Sequence, residues 1–258
     1  WDPLYYSDRD VRSFIGGLAS SRLLLLEGIS GTGKTSLPCR VASMTQGGVK
    51  AIEVQAGWHD RDDLLGFYNS FERRYRETPF VNAIYEAQTP AYRDRLYFIV
   101  LDEMNLSHPE QYFADMLSVM ERPEGEDRSL ALLSVPAARP PRLMGDGRIL
   151  RIPNNVWFIG TANQDETTKD FAPKTRDRAH VMQLPRRPAV FSGRRVAPAA
   201  APLSYAALAA AFAEAQERGA AYAKDALGAL GEVEESLRRS FGIGWGNRLE
   251  RQLRAFVP

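Results

Sequence analysis

Cysteine is almost missing from this chain of 258 residues: Cys39 stands alone, so no disulfide can form within it. Histidine is nearly as rare, with three, and no Cys/His cluster has the spacing of a metal site. Cys39 falls in an apolar-periodic stretch and reads as a small core residue. Lysine is scarce too, so the positive charge is almost all arginine; with alanine and proline abundant, this reads as a composition bias. A strong excess of either sign is also lacking. The net charge of +1 announces neither nucleic acid nor a membrane surface as partner, although a local basic stripe is compatible with it. No apolar run approaches the length of a membrane span and no signal-peptide pattern opens the chain, so the expectation is a cytoplasmic protein without a membrane partner. Beginning at Trp1 and ending at Pro258, the sequence reads as a piece of a longer polypeptide.

What is present is ordinary globular material, 44% hydrophobic and 25% charged, enough for one large or two modest domains. One stretch organises it. Gly28-Ile29-Ser30-Gly31-Thr32-Gly33-Lys34-Thr35 fits the P-loop pattern G-x-x-x-x-G-K-[ST] at every fixed position. An apolar run, Leu23 to Leu26, precedes it as a buried strand, and Ser36 to Met44 follows as a helix. Strand, glycine-rich turn and helix are the context the motif needs. Backbone N–H groups of residues 28–36 would curl round phosphates at a helix N-terminus. Lys34 would reach the β- and γ-phosphates, and the Thr35 hydroxyl would take one site on Mg²⁺. The chain is expected to bind a nucleoside triphosphate.

Downstream, residues 49–55 read as a second strand and 78–88 as a helix. Leu96 to Leu101 is an unbroken apolar strand suited to a parallel sheet buried on both faces. It ends in Asp102-Glu103, two carboxylates where a Walker B pair belongs. Asp102 would hold Mg²⁺ and Glu103 would polarise the attacking water. Residues 111–121 read as a helix with Phe113, Met116, Leu117 and Met120 on one core-facing stripe. Residues 122–153, rich in proline, glycine and arginine, read as a hairpin or extended insertion. Val156 to Gly160 is the next strand. Its tip, Thr161-Ala162-Asn163, offers Asn163 to orient the lytic water. A basic segment with Lys169, Lys174, Arg176 and Arg178 leads to a closing strand at 181–184. Alternating strands and helices give an α/β fold, a parallel sheet sandwiched by helices. The boundaries are a lead-in over 1–22, the nucleotide-binding domain over 23–185 with its insertion at 122–153, a linker over 186–203, and a small helical domain over 204–258.

The P-loop, the Asp102-Glu103 pair, the strand-tip Asn163, the arginine-bearing segment and the helical tail together resemble the AAA+ superfamily of P-loop NTPases. More narrowly, Ile99 to Leu106, Gly160 to Asn163 and Asp62-Asp63-Leu64-Leu65-Gly66 look like the McrB-like branch, related to the MoxR-like ATPases. The resemblance implies an arginine finger acting on a neighbour's γ-phosphate at Arg178, with Arg176 as substitute. It implies a nucleotide-contacting sensor at Arg248 in a C-terminal helical lid, hairpins facing a central pore at 122–153, and a hexamer. The text after Asn163, Gln164-Asp165, departs from the GTP-using McrB-like pattern, so ATP is the default expectation, with GTP as the alternative. The implied function is a ring-forming nucleoside triphosphatase of a DNA-restriction or antiviral defence system, with a nuclease partner and DNA reached through other domains. A MoxR-like protein-remodelling chaperone and a slow nucleotide-gated scaffold are the alternatives.

Overall fold

The computed structural model describes residues 6–122, 128–134, 136–137, 140, 143–164, 168–185, 199–242 and 244–256. Asp165, most of the linker expected over 186–203 and part of the insertion expected over 122–153 lie outside them. The chain divides into two compact units, residues 22–204 and residues 6–21 with 205–258.

In chain order the elements are α1 (Asp8–Ser20), β1 (Leu23–Gly28), α2 (Ser36–Thr45), β2 (Gly48–Glu53), α3 (Arg61–Leu65), β3 (Gly66–Asn69), β4 (Arg74–Glu77) and α4 (Pro79–Ala87). They continue with β5 (Tyr97–Asp102), a 3₁₀ turn over Met104–Leu106, α5 (Pro109–Tyr112), α6 (Ala114–Met120), β6 (Ser129–Ala131) and β7 (Ile149–Arg151). The last are β8 (Val156–Asn163), α7 (Pro173–Arg176), β9 (His180–Gln183), α8 (Tyr205–Phe241) and α9 (Asn247–Phe256). Five strands form one parallel sheet in the order β2-β5-β8-β1-β9. This is the parallel α/β sheet flanked by helices that the sequence leads one to expect.

Hydropathy explains the order. All six residues of β1 are buried, as are five of six in β5 and seven of eight in β8, which therefore occupy the centre with helices on both faces. Strand β2, buried only at Gly48 and Ile52, sits at an edge. Register places Leu25 and Leu101 opposite Gly160 on either side of β8, and Gly28 opposite Asn163. Three strand ends thus finish on one edge, where open α/β sheets bind ligands.

Two regions differ from the sequence reading. Residues 66–77 form an antiparallel hairpin, β3–β4, where the sequence reading assigns no strand. The helix expected over 111–121 is two short ones, broken at Phe113, where φ −107° and ψ 6° leave the helical region. The expected stripe still faces inward: Phe113, Met116 and Leu117 are buried and Met120 packs partly against them. Part of the insertion pairs as a second hairpin, β6–β7.

In the second unit, α1 opens with a reciprocal capping box: Asp10 N–H donates to Ser7 Oγ (3.2 Å) and Ser7 N–H to Asp10 Oδ2 (2.9 Å). It packs on α9, where a Cβ added at Gly16 would meet the Phe256 ring at 2.9 Å. Helix α8 runs 37 residues with only Leu208 and Ala223 buried. Glu-to-Arg pairs four apart, Glu234–Arg238 at 2.6 Å and Glu235–Arg239 at 2.8 Å, support its solvated face.

One close approach fixes the sheet centre. A Cβ on Gly160 of β8 would meet Met104 Sδ at 2.4 Å and Leu25 Cδ2 at 2.8 Å, both side chains fully buried. Gly160→Ala is expected to lower unfolding stability by about 1–3 kcal/mol through overpacking, read from the urea midpoint. An unchanged midpoint would show that Met104 can move.

Candidate active site

Positive φ at Gly31 (81°) and Gly33 (87°) turns residues 28–35 back on themselves, and space beside Gly31 is open to 4 Å. Lys34 is 6% exposed, and its Nζ donates to Gly28 O (2.9 Å) and Ile29 O (2.8 Å). The ammonium is thus held inside the loop by the first two carbonyls. Helix α2 starts at Ser36, with Leu37 N–H donating to Gly33 O (3.0 Å). Residues 28–36 accordingly form an anion cradle at a helix N-terminus, with a buried cation beneath it.

Two other predicted residues meet directly. Thr35 Oγ1 donates to Asp102 Oδ1 at 2.6 Å, across a sequence gap of 67 residues. Thr161 Oγ1 donates to the same oxygen at 2.7 Å and also accepts Glu103 N–H at 2.9 Å. A carboxyl oxygen has two lone pairs, one for each of these donors. A hydroxyl and a carboxylate in contact beside a phosphate cradle make an all-oxygen set, which suits Mg²⁺, an ion that takes one or two carboxylates plus substrate phosphates. Among the described residues, no cluster of three or more His, Cys, Asp or Glu could hold a metal by itself. The half-buried Cys39 lies behind this point on α2, where burial first and Asp102 second push its thiol pKa up, so it stays protonated.

Glu103 and Asn163 form the second pair. Glu103 is exposed at the end of β5 with φ 53° and ψ 46°, the left-handed region that a residue with a Cβ enters rarely. Its Oε1 accepts Asn163 Nδ2–H at 2.9 Å. Behind them the 3₁₀ turn is pinned: buried Asn105 donates to Asn163 O (3.0 Å) and Lys169 O (3.1 Å), and Tyr112 OH donates to Met104 O (2.8 Å). A cavity of about 460 Å³ opens beside Asn163, lined among others by Glu27, Asn105, Gln164, Lys169 and Arg176.

The arginines are placed differently. Arg178 pairs with Glu121 at the end of α6 and donates from Nη1 to Lys174 O (2.8 Å). Arg176 pairs with Glu27 Oε1 at 2.8 Å. Arg248 lies on α9, in the second unit. Three participants have no counterpart among the expected site residues: Thr161, Glu27 and Gln164, whose Nε2 donates to Glu27 Oε2 at 3.2 Å. Two of them leave a trace in the sequence. Thr161 stands two residues before Asn163, so on a strand both face one way. Glu27 is an acid closing an otherwise apolar strand, and a buried carboxylate requires a partner.

A parallel sheet in this order, with a glycine cradle, a buried lysine and a Thr–Asp pair on its C-terminal edge, defines a P-loop NTPase. The family model of the AAA domain, dynein-related subfamily, matches residues 23–179, and the chain belongs to that family. A comparison with curated proteins gives no match. Among solved structures, the chain is similar to a protein from Cytophaga hutchinsonii provisionally described as an ATPase, at 19% identity and a TM-score of 0.42. That alignment covers 69% of this chain and 45% of the other, so this chain spans less than half of its length. Among the described residues, no helix is long and apolar enough to cross a membrane.

Thr161→Val keeps the shape while removing the hydroxyl that joins Asp102 to the Glu103 amide. Nucleotide turnover is expected to fall about 10–100-fold, the usual effect of losing a partner of a metal ligand. Thr161→Ser should retain it. A Mg²⁺ titration of turnover checks this, and equal rates for Val and wild type would rule the link out.

Proposed function

We propose that the chain hydrolyses ATP at a site that a second copy completes. The observation that carries this reading is the pairing of Glu103 with Asn163 (2.9 Å) on the same sheet edge as the Thr35–Asp102 contact (2.6 Å). The loop carries the phosphates on its backbone N–H groups, and Lys34 exchanges the Gly28 and Ile29 carbonyls for β- and γ-phosphate oxygens. Thr35 and Asp102 are the residues that would hold Mg²⁺, which would offset the charge developing on the phosphates. Asn163 fixes one Glu103 oxygen, so the other takes a proton from water as the water oxygen attacks the γ-phosphorus. The bond to the β–γ bridging oxygen breaks, and the diphosphate leaves with that oxygen.

Arg178 is the arginine we assign to the neighbour's γ-phosphate. Its partner Glu121 is one-third exposed, so the pair can open at modest cost. Hydrolysis then depends on assembly, for which the resemblance supplies a hexameric ring. Arg248 on the helical unit is the proposed sensor contacting nucleotide. The finer reading is a McrB-like motor working with a nuclease on DNA. It is supported by the similarity of residues 99–106 and 160–163, and by a hairpin, β6–β7, where that branch carries one.

Glu103→Gln is expected to bind ATP, hold the assembled state and stop turnover. Arg178→Ala should bind ATP with similar affinity and lose roughly 10³-fold or more in rate. Equilibrium binding beside steady-state hydrolysis checks both, and parental turnover by the Gln variant would overturn the role assigned to Glu103. Stimulation of hydrolysis by DNA supports the restriction motor; stimulation only by a protein substrate supports remodelling instead.

A further inference from the structure

Glu27 is a charged side chain where apolar ones dominate. It is 1% exposed, on the central strand β1, immediately before the first glycine of the P-loop. No role in phosphate binding needs it. Side chains of this class are almost never fully buried without a partner. Its partners come from the segment after β8: Arg176 Nη2 lies 2.8 Å from Oε1, and Gln164 Nε2 donates to Oε2 at 3.2 Å. The Glu27 carbonyl also accepts Leu184 N–H at 2.8 Å, so backbone and side chain both grip the stretch around β9.

Arg176 belongs to α7, and residues 177–179 hang on that helix. Arg178 N–H donates to Thr175 O (3.2 Å), Ala179 N–H to Arg176 O (3.1 Å), and Thr175 is fully buried. The two arginines are therefore held by unequal partners. The Glu27 side chain is 2% exposed and that of Glu121 is 34% exposed. Withdrawing Arg176 would leave a buried carboxylate bare, whereas withdrawing Arg178 returns a partly exposed one to water.

We propose that Glu27 is a positioning residue for the arginine acting in trans: its buried carboxylate tethers Arg176 to the P-loop strand, which sets the 173–178 segment and leaves Arg178 to reach the neighbour. The proposal rests on Arg178 serving the neighbour's γ-phosphate. It also links the two sites of one subunit, because Glu27 precedes the loop that carries that subunit's own phosphates. A shift of Gly28 on binding is transmitted through one side chain to the segment serving the next site.

The test uses mixed assemblies of full chains. Lys34→Ala subunits give up nucleotide and keep their finger; Arg178→Ala subunits keep nucleotide and give up the finger. Mixing the two is expected to restore ATP turnover, and failure of these parents to complement overturns the trans reading before Glu27 is touched. Glu27→Gln placed in the Lys34→Ala donor is expected to lower restored kcat about 100-fold, as a misplaced catalytic group does, with KM unchanged. The same change in the Arg178→Ala receiver, whose finger is already gone, is expected to lower kcat far less than it does in the donor. A donor carrying Glu27→Gln with Arg176→Gln, which buries no bare charge, guards against misfolding and should lose the same activity. Full activity from either folded donor overturns the assignment, as does an equal loss when the receiver carries the change.

Discussion

Two hydroxyl protons meet on one oxygen, Asp102 Oδ1, and the geometry of the candidate site depends on that meeting. Strands β1 and β5 are not neighbours, because β8 lies between them. Sheet pairing alone therefore does not fix the loop after β1 against the carboxylate after β5. The Thr35 hydroxyl makes that connection over the top of β8, and Thr161 makes it from β8 itself. Hydrogen bonds to an ionised acceptor contribute about 1.5–3 kcal/mol each, roughly twice a neutral one. A donating hydroxyl keeps its lone pairs, so Thr35 can hold its place against Asp102 and still offer an oxygen to a cation.

The second constraint is steric and works from beneath. Glu103 leaves β5 in the left-handed region, a conformation that costs of order 1–3 kcal/mol and persists only where its surroundings over-determine it. Three contacts do so. Its amide is held by Thr161, its side chain by Asn163, and the next residue, Met104, is wedged into the space left by the missing side chain of Gly160. The turn bends back sharply enough to present the carboxylate beside Asn163 instead of continuing the strand. Core packing at Gly160 and the orientation of the acid at 103 are thus one arrangement.

The sequence made the local parts legible and left the cross-links unread. Residues 28–35 and 102–103 stand out because their chemistry is carried by neighbours along the chain, and the buried central strands because both faces are apolar. The hairpin β3–β4 escaped because a four-residue strand has too few positions for its period to register. The break at Phe113 escaped because the apolar stripe continues through it in the right phase. Thr161 and Glu27 escaped for a further reason. Their roles depend on partners 59 and 149 residues away, Asp102 and Arg176, and only the register of β1, β5 and β8 brings these together.

Charge balance points past a single subunit. A nucleoside triphosphate carries about four negative charges, and catalysis of its hydrolysis is mainly their positioning and neutralisation. Lys34 and one divalent cation would offset about three, while Asp102 and Glu103 bring two more negative charges to the same edge. Two arginines, Arg176 and Arg178, stand on the segment after β8 that could bring more positive charge. Arg176 faces that edge but pairs with Glu27, a carboxylate only 1% exposed. Of the two, Arg178 has the more exposed carboxylate partner, Glu121 at 34% against Glu27 at 2%. A nearest arginine paired with a buried carboxylate and a second one on the adjoining segment are what the proposed completion of the site by another copy requires.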